Sequence, residues 1–336
     1  MNIGAIARRA KVSTATVSRT LNQNGAVRPE TAKRVWRAAA ELNYFPNSHA
    51  RALVSGRSRL LGLIVSDITN PFFPELVRQF ESLALQRQYD LILTSTDYQT
   101  ERMTVCLRRM LERKVDGVAL MTSEMDEGLI EELSRRGVPL VFMDVGQVGP
   151  RMSHVAMEYA SGIRQAVDHV VKLGHRRIAF ISGPLQLHSA RVRRDAFVER
   201  LRHHSIAPDK KLIREGTHTA EGGQHAMELL LQGSRRPTAV VCSNDWTAIG
   251  ALHAIDAAGL RVPEDVSVVG FDDTPLASYT RPPLTTVRMS AAEIGATACT
   301  ALFKLIDDKE HEGALLKIPT ELVVRASTAR PRAPHR

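Results

Sequence analysis

Residues 12–22 read VSTATVSRTLN, and this stretch decides the architecture of the N-terminal segment. Ser13 is a favourable N-cap residue, so a helix is predicted from Thr14 to about Leu21. Val17 and Leu21 lie one helical turn apart and give this helix an apolar inward face. Its other face carries the side chains that remain available for contacts, which are Thr14, Ala15, Ser18 and Arg19.

Two further short helices are expected around this one. Apolar residues from Ile3 to Ala10 recur at helical spacing, and the NQNG run at residues 22–25 is a polar break. Pro29 suits the first turn of a third helix that ends at about Leu42. The expected core face of that helix contains Ala32, Val35, Trp36, Ala39 and Leu42. Two short helices braced by a third form a helix-turn-helix unit, whose second helix fits the major groove of DNA.

The net charge of the 336-residue chain is +9, and the charge is unevenly distributed. Residues 1–59 contain eleven basic and two acidic residues, whereas the rest of the chain contains 34 of each. This asymmetry is typical of a small polyanion-binding domain attached to a neutral body. The alternatives are a solvated basic face and a three-helix module that docks on protein. The basic excess favours DNA as the partner.

The chain after residue 59 alternates strand and helix patterns. Strands are predicted at 60–65, 91–94, 117–121, 140–143, 177–182, 239–243 and 266–271. Strands separated by helices of about 10–15 residues are typical of βαβ units with parallel sheets. The pattern occurs twice, which predicts two similar α/β lobes. Ligands of such sheets lie beyond the carboxyl ends of the strands, and two lobes leave a cleft between them.

Several motifs, taken in order, resemble those of the lactose/galactose-repressor (LacI/GalR) family. They are VSTATVSRTLN at 12–22, AELNYFPN at 40–47, ARAL at 50–53, LGHRRIAFISGP at 173–184, CSND at 242–245, VGFDD at 269–273 and PLTTV at 283–287. The resemblance extends from about Ile3 to Ala326. It implies a ligand-responsive transcription regulator, a repressor, that binds a pseudopalindromic double-stranded DNA operator as a homodimer and is controlled allosterically by a small effector.

The resemblance also implies a domain organisation. The expected segments are a helix-turn-helix DNA-binding domain at 1–45, a hinge helix and linker at 46–58, an effector-binding and dimerisation domain at 59–326, and a disordered tail at 327–336. The effector-binding domain is expected to resemble type I periplasmic sugar-binding proteins, with two doubly wound parallel-sheet lobes. The N-lobe would comprise about 59–157 and 288–317, and the C-lobe about 158–287 and 318–326. No heptad follows Ala326, so a dimer is expected.

In this family the second helix contacts DNA. The residues that the resemblance assigns to base edges are Thr14, Ala15 and Arg19. An arginine there can donate two hydrogen bonds to guanine O6 and N7. The residues expected to bind phosphates are Thr16, Ser18 and Asn22. Phosphate contacts position a helix without reading sequence, and plain solvation is the alternative for any single Ser or Thr.

The hinge and the turn complete the expected DNA-binding features. The hinge contacts would come from Asn47, Ala50 and Leu53. Leu53 corresponds to an apolar wedge at a minor-groove step, and its packing on the body is the alternative. Lys11 stands where the family usually has glycine, and a non-glycine residue at positive φ costs roughly 1–2 kcal/mol, so a slightly altered turn is expected. Ala5 also departs from the family, which usually has an acidic residue there.

Eight residues are expected to line an effector-binding cleft. They are Phe72, Phe73, Asp144, Ser189, Arg193, Asn244, Trp246 and Asp272. Carboxylates can accept hydrogen bonds from hydroxyl groups and an arginine can donate a fork of them, which suits a sugar or another polyol. The alternatives are core packing for Phe72, Phe73 and Trp246, and a surface ion pair for Asp272 and Arg193. Asp245 is expected to be structural, as a cap of the next helix.

The effector is expected to be a sugar or a sugar derivative. Leu187 stands where some purine- and sugar-binding relatives place a polar side chain, so a purine remains an alternative. Arg191 favours an acidic sugar as another alternative. The sequence indicates no cofactor, because it contains neither a Walker nor a dinucleotide-binding glycine motif.

Other classes of protein fit the sequence less well. The twelve histidines and three cysteines show no metal-ligand spacing, and no nucleophile–base set indicates an enzyme. A sugar-binding transport protein would carry a signal peptide and no basic N-terminal segment. The first nine residues here lack an apolar run behind a basic start, which is not the pattern of a signal peptide. No run reaches the ~18 apolar residues of a membrane span. A cytoplasmic location is therefore expected.

Overall fold

The computed structural model describes residues 3–21, 27–44, 57–123, 127–144, 146–233 and 236–332. The chain divides into two compact units, Met1–Arg59 and Leu60–Arg336. We call the first unit the head and the second unit the body. The hinge that the sequence predicts at 46–58 lies almost entirely outside the described residues.

The head contains three helices around a small core. They are α1 (Ile3–Ala10), α2 (Thr14–Leu21) and α3 (Pro29–Glu41). Ser13 caps α2, because its Oγ accepts a hydrogen bond from the backbone N–H of Thr16 at 3.2 Å. Ile6, Val17 and Val35, one from each helix, are fully buried. The predicted start and end of α2 are both confirmed.

Trp36 was expected in the core of the head, and that prediction is wrong. Its side chain is 45% exposed, whereas Val35, Ala38 and Ala39 are buried. Positions i, i+3 and i+4 share one face of a helix, so residue 36 is turned away from the face that residues 35, 38 and 39 define. The buried face of α3 therefore carries Val35 and two alanines, and the large ring of Trp36 lies outside it.

Lys11 adopts φ 52°, which lies in the left-handed region that favours glycine. The turn after α1 is closed by the N–H of Val12, which donates to the carbonyl oxygen of Ala7 at 3.0 Å, and by the N–H of Lys11, which donates to Arg8 O at 3.3 Å. This is the hydrogen-bond pattern of a Schellman C-cap. The lysine therefore keeps the turn and carries its backbone strain.

The body contains two six-stranded sheets. The first has the order β11-β5-β4-β3-β1-β2 and is parallel throughout. Its strands are β1 (Leu60–Val65), β2 (Asp90–Ser95), β3 (Gly117–Met121), β4 (Leu140–Met143), β5 (Met152–Met157) and β11 (Leu315–Ile318). We call the part of the body around this sheet the N-lobe.

The second sheet forms the C-lobe. Its order is β12-β10-β9-β8-β6-β7, and β12 alone among these strands pairs antiparallel. Its strands are β6 (Ile178–Ser182), β7 (Ile213–Glu215), β8 (Ala239–Cys242), β9 (Ser267–Asp272), β10 (Thr285–Arg288) and β12 (Glu321–Val323). The chain crosses between the two sheets after Met157, after Arg288 and after Ile318.

Helices cover both faces of each sheet. The N-lobe helices are α4 (Phe72–Gln86), α5 (Thr100–Glu112), α6 (Glu127–Arg135) and α11 (Ala291–Asp307). The C-lobe helices are α7 (Tyr159–Lys172), α8 (His188–His203), α9 (Ala220–Leu231) and α10 (Asp245–Ala257). Successive residues of β6 point to opposite faces: Phe180 packs in the cluster with α7 and α8, and Ile181 in the cluster with α9 and α10. The predicted fold class is confirmed.

The end of the chain corrects another prediction, since residues 327–332 pack on the C-lobe instead of forming a disordered tail. The Ser327 hydroxyl is fully buried and donates to Val268 O at 2.6 Å. The carbonyl oxygen of Ala329 lies 2.8 Å from Nε2 of His175. Small polar side chains can satisfy backbone groups at a sheet end without a strand. Residues 333–336 lie outside the described part.

Candidate functional site

The face of α2 that carries the expected base contacts is exposed to solvent. Thr14, Ala15 and Arg19 are exposed on α2, while Thr16 and Ser18 are half-buried. The Thr16 hydroxyl lies 2.9 Å from Ser13 Oγ, so part of its hydrogen-bonding capacity is used inside the head. The remaining expected DNA contacts, Asn22, Asn47, Ala50 and Leu53, lie outside the described residues.

A cavity lies between the N-lobe and the C-lobe. Seven of the eight expected cleft residues line it: Phe72, Phe73, Asp144, Ser189, Arg193, Asn244 and Asp272. Trp246 does not line it, and is half-buried in the first turn of α10 instead. The strand ends meet here because parallel strands place their carboxyl ends on one side of the sheet.

Asp144 is held by two hydroxyl donors. Ser123 Oγ and the Tyr159 hydroxyl both donate to its carboxylate, one to each oxygen. Ser123 Oγ also lies 3.2 Å from Oγ of Ser189, which begins the C-lobe side of the cavity. Burial and the negative charge of Asp144 raise the pKa of Tyr159 well above its usual value, so this hydroxyl stays protonated. Asp144 therefore lines the cavity and also links Ser123 to Tyr159 through hydrogen bonds.

Arg193 is 5% exposed and has no ion-pair partner among the described residues. Its guanidinium carbon lies 4.0 Å from the centroid of the Tyr159 ring and 4.6 Å from that of Phe271, which is cation–π geometry. Its Nε is buried without a hydrogen-bond partner in the described structure. The alternative of a surface ion pair with Asp272 is therefore wrong.

Asp272 ends β9 with φ 110°, a strained conformation for a residue with a side chain. It is 6% exposed, and no donor among the described residues hydrogen-bonds its carboxylate. Burial raises its pKa well above the usual value; nearby Arg193 opposes this shift and the negative charge of Asp245 adds to it. A buried carboxylate without donors is unfavourable in the free protein and would gain from a ligand that supplies hydroxyl or N–H donors.

Asn244 and His218 form the C-lobe wall opposite Tyr98. The Asn244 side chain accepts from the N–H of Thr247 at 2.8 Å and donates to His218 O at 3.1 Å. Burial, with a contribution from Arg193, lowers the pKa of His218 to about 3, so its imidazole is neutral. The rings of Tyr98 and His218 are 6.0 Å apart across the lobes. Gly183 is needed beneath the imidazole, because a Cβ there would overlap with it.

Phe72 and Phe73 begin α4, where Asn70 Oδ1 accepts from the N–H of Phe72 at 3.1 Å. The two rings meet edge to face, with centroids 5.2 Å apart. Both residues are 5% exposed, pack in the core cluster of the body and line the cavity. The expected cleft position and the alternative of core packing thus both describe these two residues.

The expectation that Asp245 caps α10 is wrong, because Asn244 is the capping residue. Asp245 is fully buried and accepts hydrogen bonds from the N–H and hydroxyl of Thr274, at 2.7 and 3.0 Å, and from the hydroxyl of Thr286 at 2.5 Å. Burial raises its pKa to about 7, and these hydrogen bonds oppose the shift. Asp245 fastens the loop after Asp272, which is a structural role.

Leu187 and Arg191 were both expected to bear on the identity of the ligand, but only Leu187 lines the cavity. Leu187 is buried and lines the cavity with an apolar side chain. Arg191 does not line it; its guanidinium donates to the carbonyl oxygens of Leu185 and Gln186 at 2.9 and 2.6 Å. Arg191 therefore gives no support for an acidic sugar.

The sequence reasoning missed several lining residues, among them Tyr98, Ser123, Tyr159 and His218. Tyr159 follows β5 and His218 follows β7, and neither strand was predicted. Ser123 follows β3, which was predicted, so a search for polar residues after every predicted strand would have found it. Within the described residues, no group of three or more potential ligands is arranged to hold a metal, and no helix is long and apolar enough to cross a membrane.

A helix-turn-helix head joined to a two-lobed ligand-binding body defines a DNA-binding transcription regulator. Family models agree: the model for bacterial regulatory proteins of the lacI family matches residues 2–47, and that for the periplasmic binding protein-like domain matches residues 167–328. The HTH-type transcriptional repressor PurR of Aliivibrio salmonicida (strain LFI1238) is 34% identical over 323 residues, which cover 96% of this chain and 97% of PurR. The chain belongs to the lacI family of bacterial regulatory proteins.

Solved structures are similar over almost the whole chain. The lac repressor dimer bound to operator and the anti-inducer ONPF matches with a TM-score of 0.86 and 32% identity, covering 98% of this chain and 99% of that chain. The complex of the transcriptional regulator CelR with cellobiose matches with a TM-score of 0.72 and 30% identity, covering 97% and 99%. The expected resemblance to this family is confirmed, and the relative from Aliivibrio salmonicida is by name a transcriptional repressor.

Proposed function

We propose that the protein is a cytoplasmic repressor that binds a pseudopalindromic operator as a homodimer, and that a sugar or sugar derivative in the interlobe cavity sets its affinity for DNA. The observation that carries the effector part is the pair formed by Arg193 and Asp272. Both side chains are buried, both line the cavity, and neither has a hydrogen-bonded protein partner for its charge.

This pair suits adjacent hydroxyl groups. A hydroxyl group can donate to the Asp272 carboxylate and accept from the Arg193 guanidinium at the same time. Phe72 and Phe73 offer apolar faces on which the C–H groups of a sugar ring can pack. The cellobiose complex of CelR shows that a structure with this fold can hold a sugar.

The DNA-binding part rests on the head. Its exposed α2 carries Arg19, and the basic excess of the chain lies in residues 1–59. A dimer is supported by the operator-bound dimer of the lac repressor and by apolar side chains left exposed on the body. Leu85 and Val105 of the N-lobe and Leu276 and Tyr279 of the C-lobe are 57%, 48%, 40% and 82% exposed.

Control of DNA binding then follows from the two lobes. An effector that contacts Asp144 on one lobe and Asp272 on the other favours one relative placement of the lobes. In a dimer this changes the spacing of the two N-lobes and therefore of the two heads. Such coupling is reciprocal, so the operator must change effector affinity by the same factor.

Operator binding is tested by fluorescence anisotropy with a pseudopalindrome, whose central CG step is what the family resemblance suggests, and with a scrambled duplex. Arg19→Ala should cost about 1–3 kcal/mol on the palindrome. Arg8→Ala removes the same charge from an exposed position on α1 and is the matched control. Equal losses on both DNAs for both variants would contradict a base-reading role for Arg19.

Effector binding is tested by repeating the titration with a panel of sugars, sugar acids and purines. Asp272→Asn should remove the response to the active compound, because it replaces an acceptor oxygen at the cavity with an N–H donor. Asp256→Asn, an exposed position on α10, is the control. A full response in Asp272→Asn would contradict the proposed site.

A further inference from the structure

A second cavity adjoins the interlobe cavity, and we call it the side pocket. The N-lobe contributes Phe72 and Glu75 from the first turn of α4, and the C-lobe contributes Asp272, Asp273 and Arg288. Phe72 and Asp272 line both cavities. These two side chains therefore stand between the cavities, so a ligand that contacts Asp272 from the interlobe cavity lies next to the side pocket.

Two carboxylates in the side pocket accept no hydrogen bond from the described residues. Asp272 is more than nine-tenths buried, and in the described residues nothing donates a hydrogen bond to its side chain. Glu75, from the other lobe, is half-buried and forms no ion pair or side-chain hydrogen bond within the described chain. A carboxylate that accepts no hydrogen bond from the protein gains from a group that donates one, so this pocket suits a hydrogen-bond donor.

The other charged groups of the side pocket are already paired. Asp273 accepts from Arg288 at 2.8 Å and from Arg325 at 2.5 Å. Arg288 also lies 3.9 Å from Glu321. The arginine in this pocket is therefore engaged and does not neutralise Glu75 or Asp272.

The charge balance of the two cavities favours a cation. Asp272 is left out of the count, because burial raises its pKa well above the usual value. The other charged lining residues, taken with their ion-pair partners, comprise four carboxylates and three guanidinium groups: Glu75, Asp144, Asp273 and Glu321 against Arg193, Arg288 and Arg325. The excess of negative charge disfavours a phosphate or a carboxylate on the ligand.

We propose that the side pocket binds a protonated amino group of the effector, so that the effector is an amino sugar or a similarly hydroxylated amine. This inference rests on the proposed function and names the ligand class of that site. The ammonium group would donate to Glu75 on the N-lobe and to Asp272 on the C-lobe. By bridging the lobes it would favour the closed cleft.

The test is titration calorimetry at pH 7 and fixed salt with D-glucosamine and D-galactosamine. The comparison compounds are D-glucose and D-galactose, which lack the charge, and N-acetyl-D-glucosamine, which keeps the nitrogen without it. At least one amino sugar should bind tenfold or more tightly than its uncharged counterparts, a difference of about 1.4 kcal/mol. Glu75→Gln should abolish that preference. Glu81→Gln, at an exposed position on the same helix outside the pocket, should retain it.

Each other outcome is decisive. A neutral sugar that binds as tightly as its amino counterpart overturns the amine assignment and leaves the proposed function standing. A preference for the amine that survives in Glu75→Gln overturns the side pocket as its site. If no sugar of either kind binds at millimolar concentration while the operator is still bound, both the amine assignment and the sugar-sensor function fail. Thermal unfolding of each variant checks that the fold is intact.

Discussion

Replacement of Lys11 by glycine should stabilise the head. Lys11 has φ 52°, where a residue with a side chain costs roughly 1–2 kcal/mol. Glycine removes this strain, but it raises the entropy of the unfolded chain at a cost of roughly 0.5–1 kcal/mol. The difference predicts that the free energy of unfolding of the head rises by about 0.5–1 kcal/mol. The two hydrogen bonds of the turn use backbone atoms and are unaffected.

Amide hydrogen exchange in α1 measures this effect in the intact protein. A gain of that size slows exchange through opening of the head by about two- to fivefold. Lys11→Ala is the control, since it removes the same charge and keeps the Cβ, and it should show no slowing. Equal exchange in the glycine and alanine variants would refute the reasoning, because backbone conformation at residue 11 would then carry no cost.

Two further predictions concern the body. Tyr98→Ala should weaken effector binding by about 2- to 12-fold in calorimetry, because an aromatic pair contributes roughly 0.5–1.5 kcal/mol. Tyr98→Phe keeps the ring and is the control. An equal loss of affinity in Tyr98→Phe would count against a role for the ring contact with His218. The pKa of Asp245 is about 7 in the folded protein against 3.8 ordinarily, so its contribution to stability is present below pH 3.8 and is lost as the pH rises through about 7. Urea unfolding should show the wild type losing stability relative to Asp245→Asn over that interval, and a constant difference between the two proteins would contradict this assignment.

The sequence predicted most of the strands that are buried on both faces, but not β10, whose first three residues are buried. All residues of β3, β4, β6, β8 and β9 are buried, so each appears as a continuous apolar run. In β5, by contrast, buried and half-buried residues alternate, and β7 has three residues, none of them fully buried. Their apolar signal is too short or too interrupted for a prediction from one sequence.

The missed strands explain most of what the sequence did not show of the cavity. Tyr159 and His218 follow β5 and β7, so the rule that ligands lie beyond strand ends could not be applied to them. The resemblance to the family supplied Asp144, Arg193 and Asp272, which the structure places at the cavity. Glu75 contributes a carboxylate to the side pocket. From the sequence it looks like any acidic residue in the first turn of a helix. Its closeness to Asp272 arises from the packing of the two lobes.

The central claim is that the interlobe cavity and the head are linked, and one pair of titrations tests it most directly. Effector affinity is measured with and without saturating operator, and operator affinity with and without saturating effector, at one salt concentration. Both affinities should change by the same factor, tenfold or more, which is about 1.4 kcal/mol of coupling. An effector that binds the cavity while operator affinity stays unchanged would contradict it.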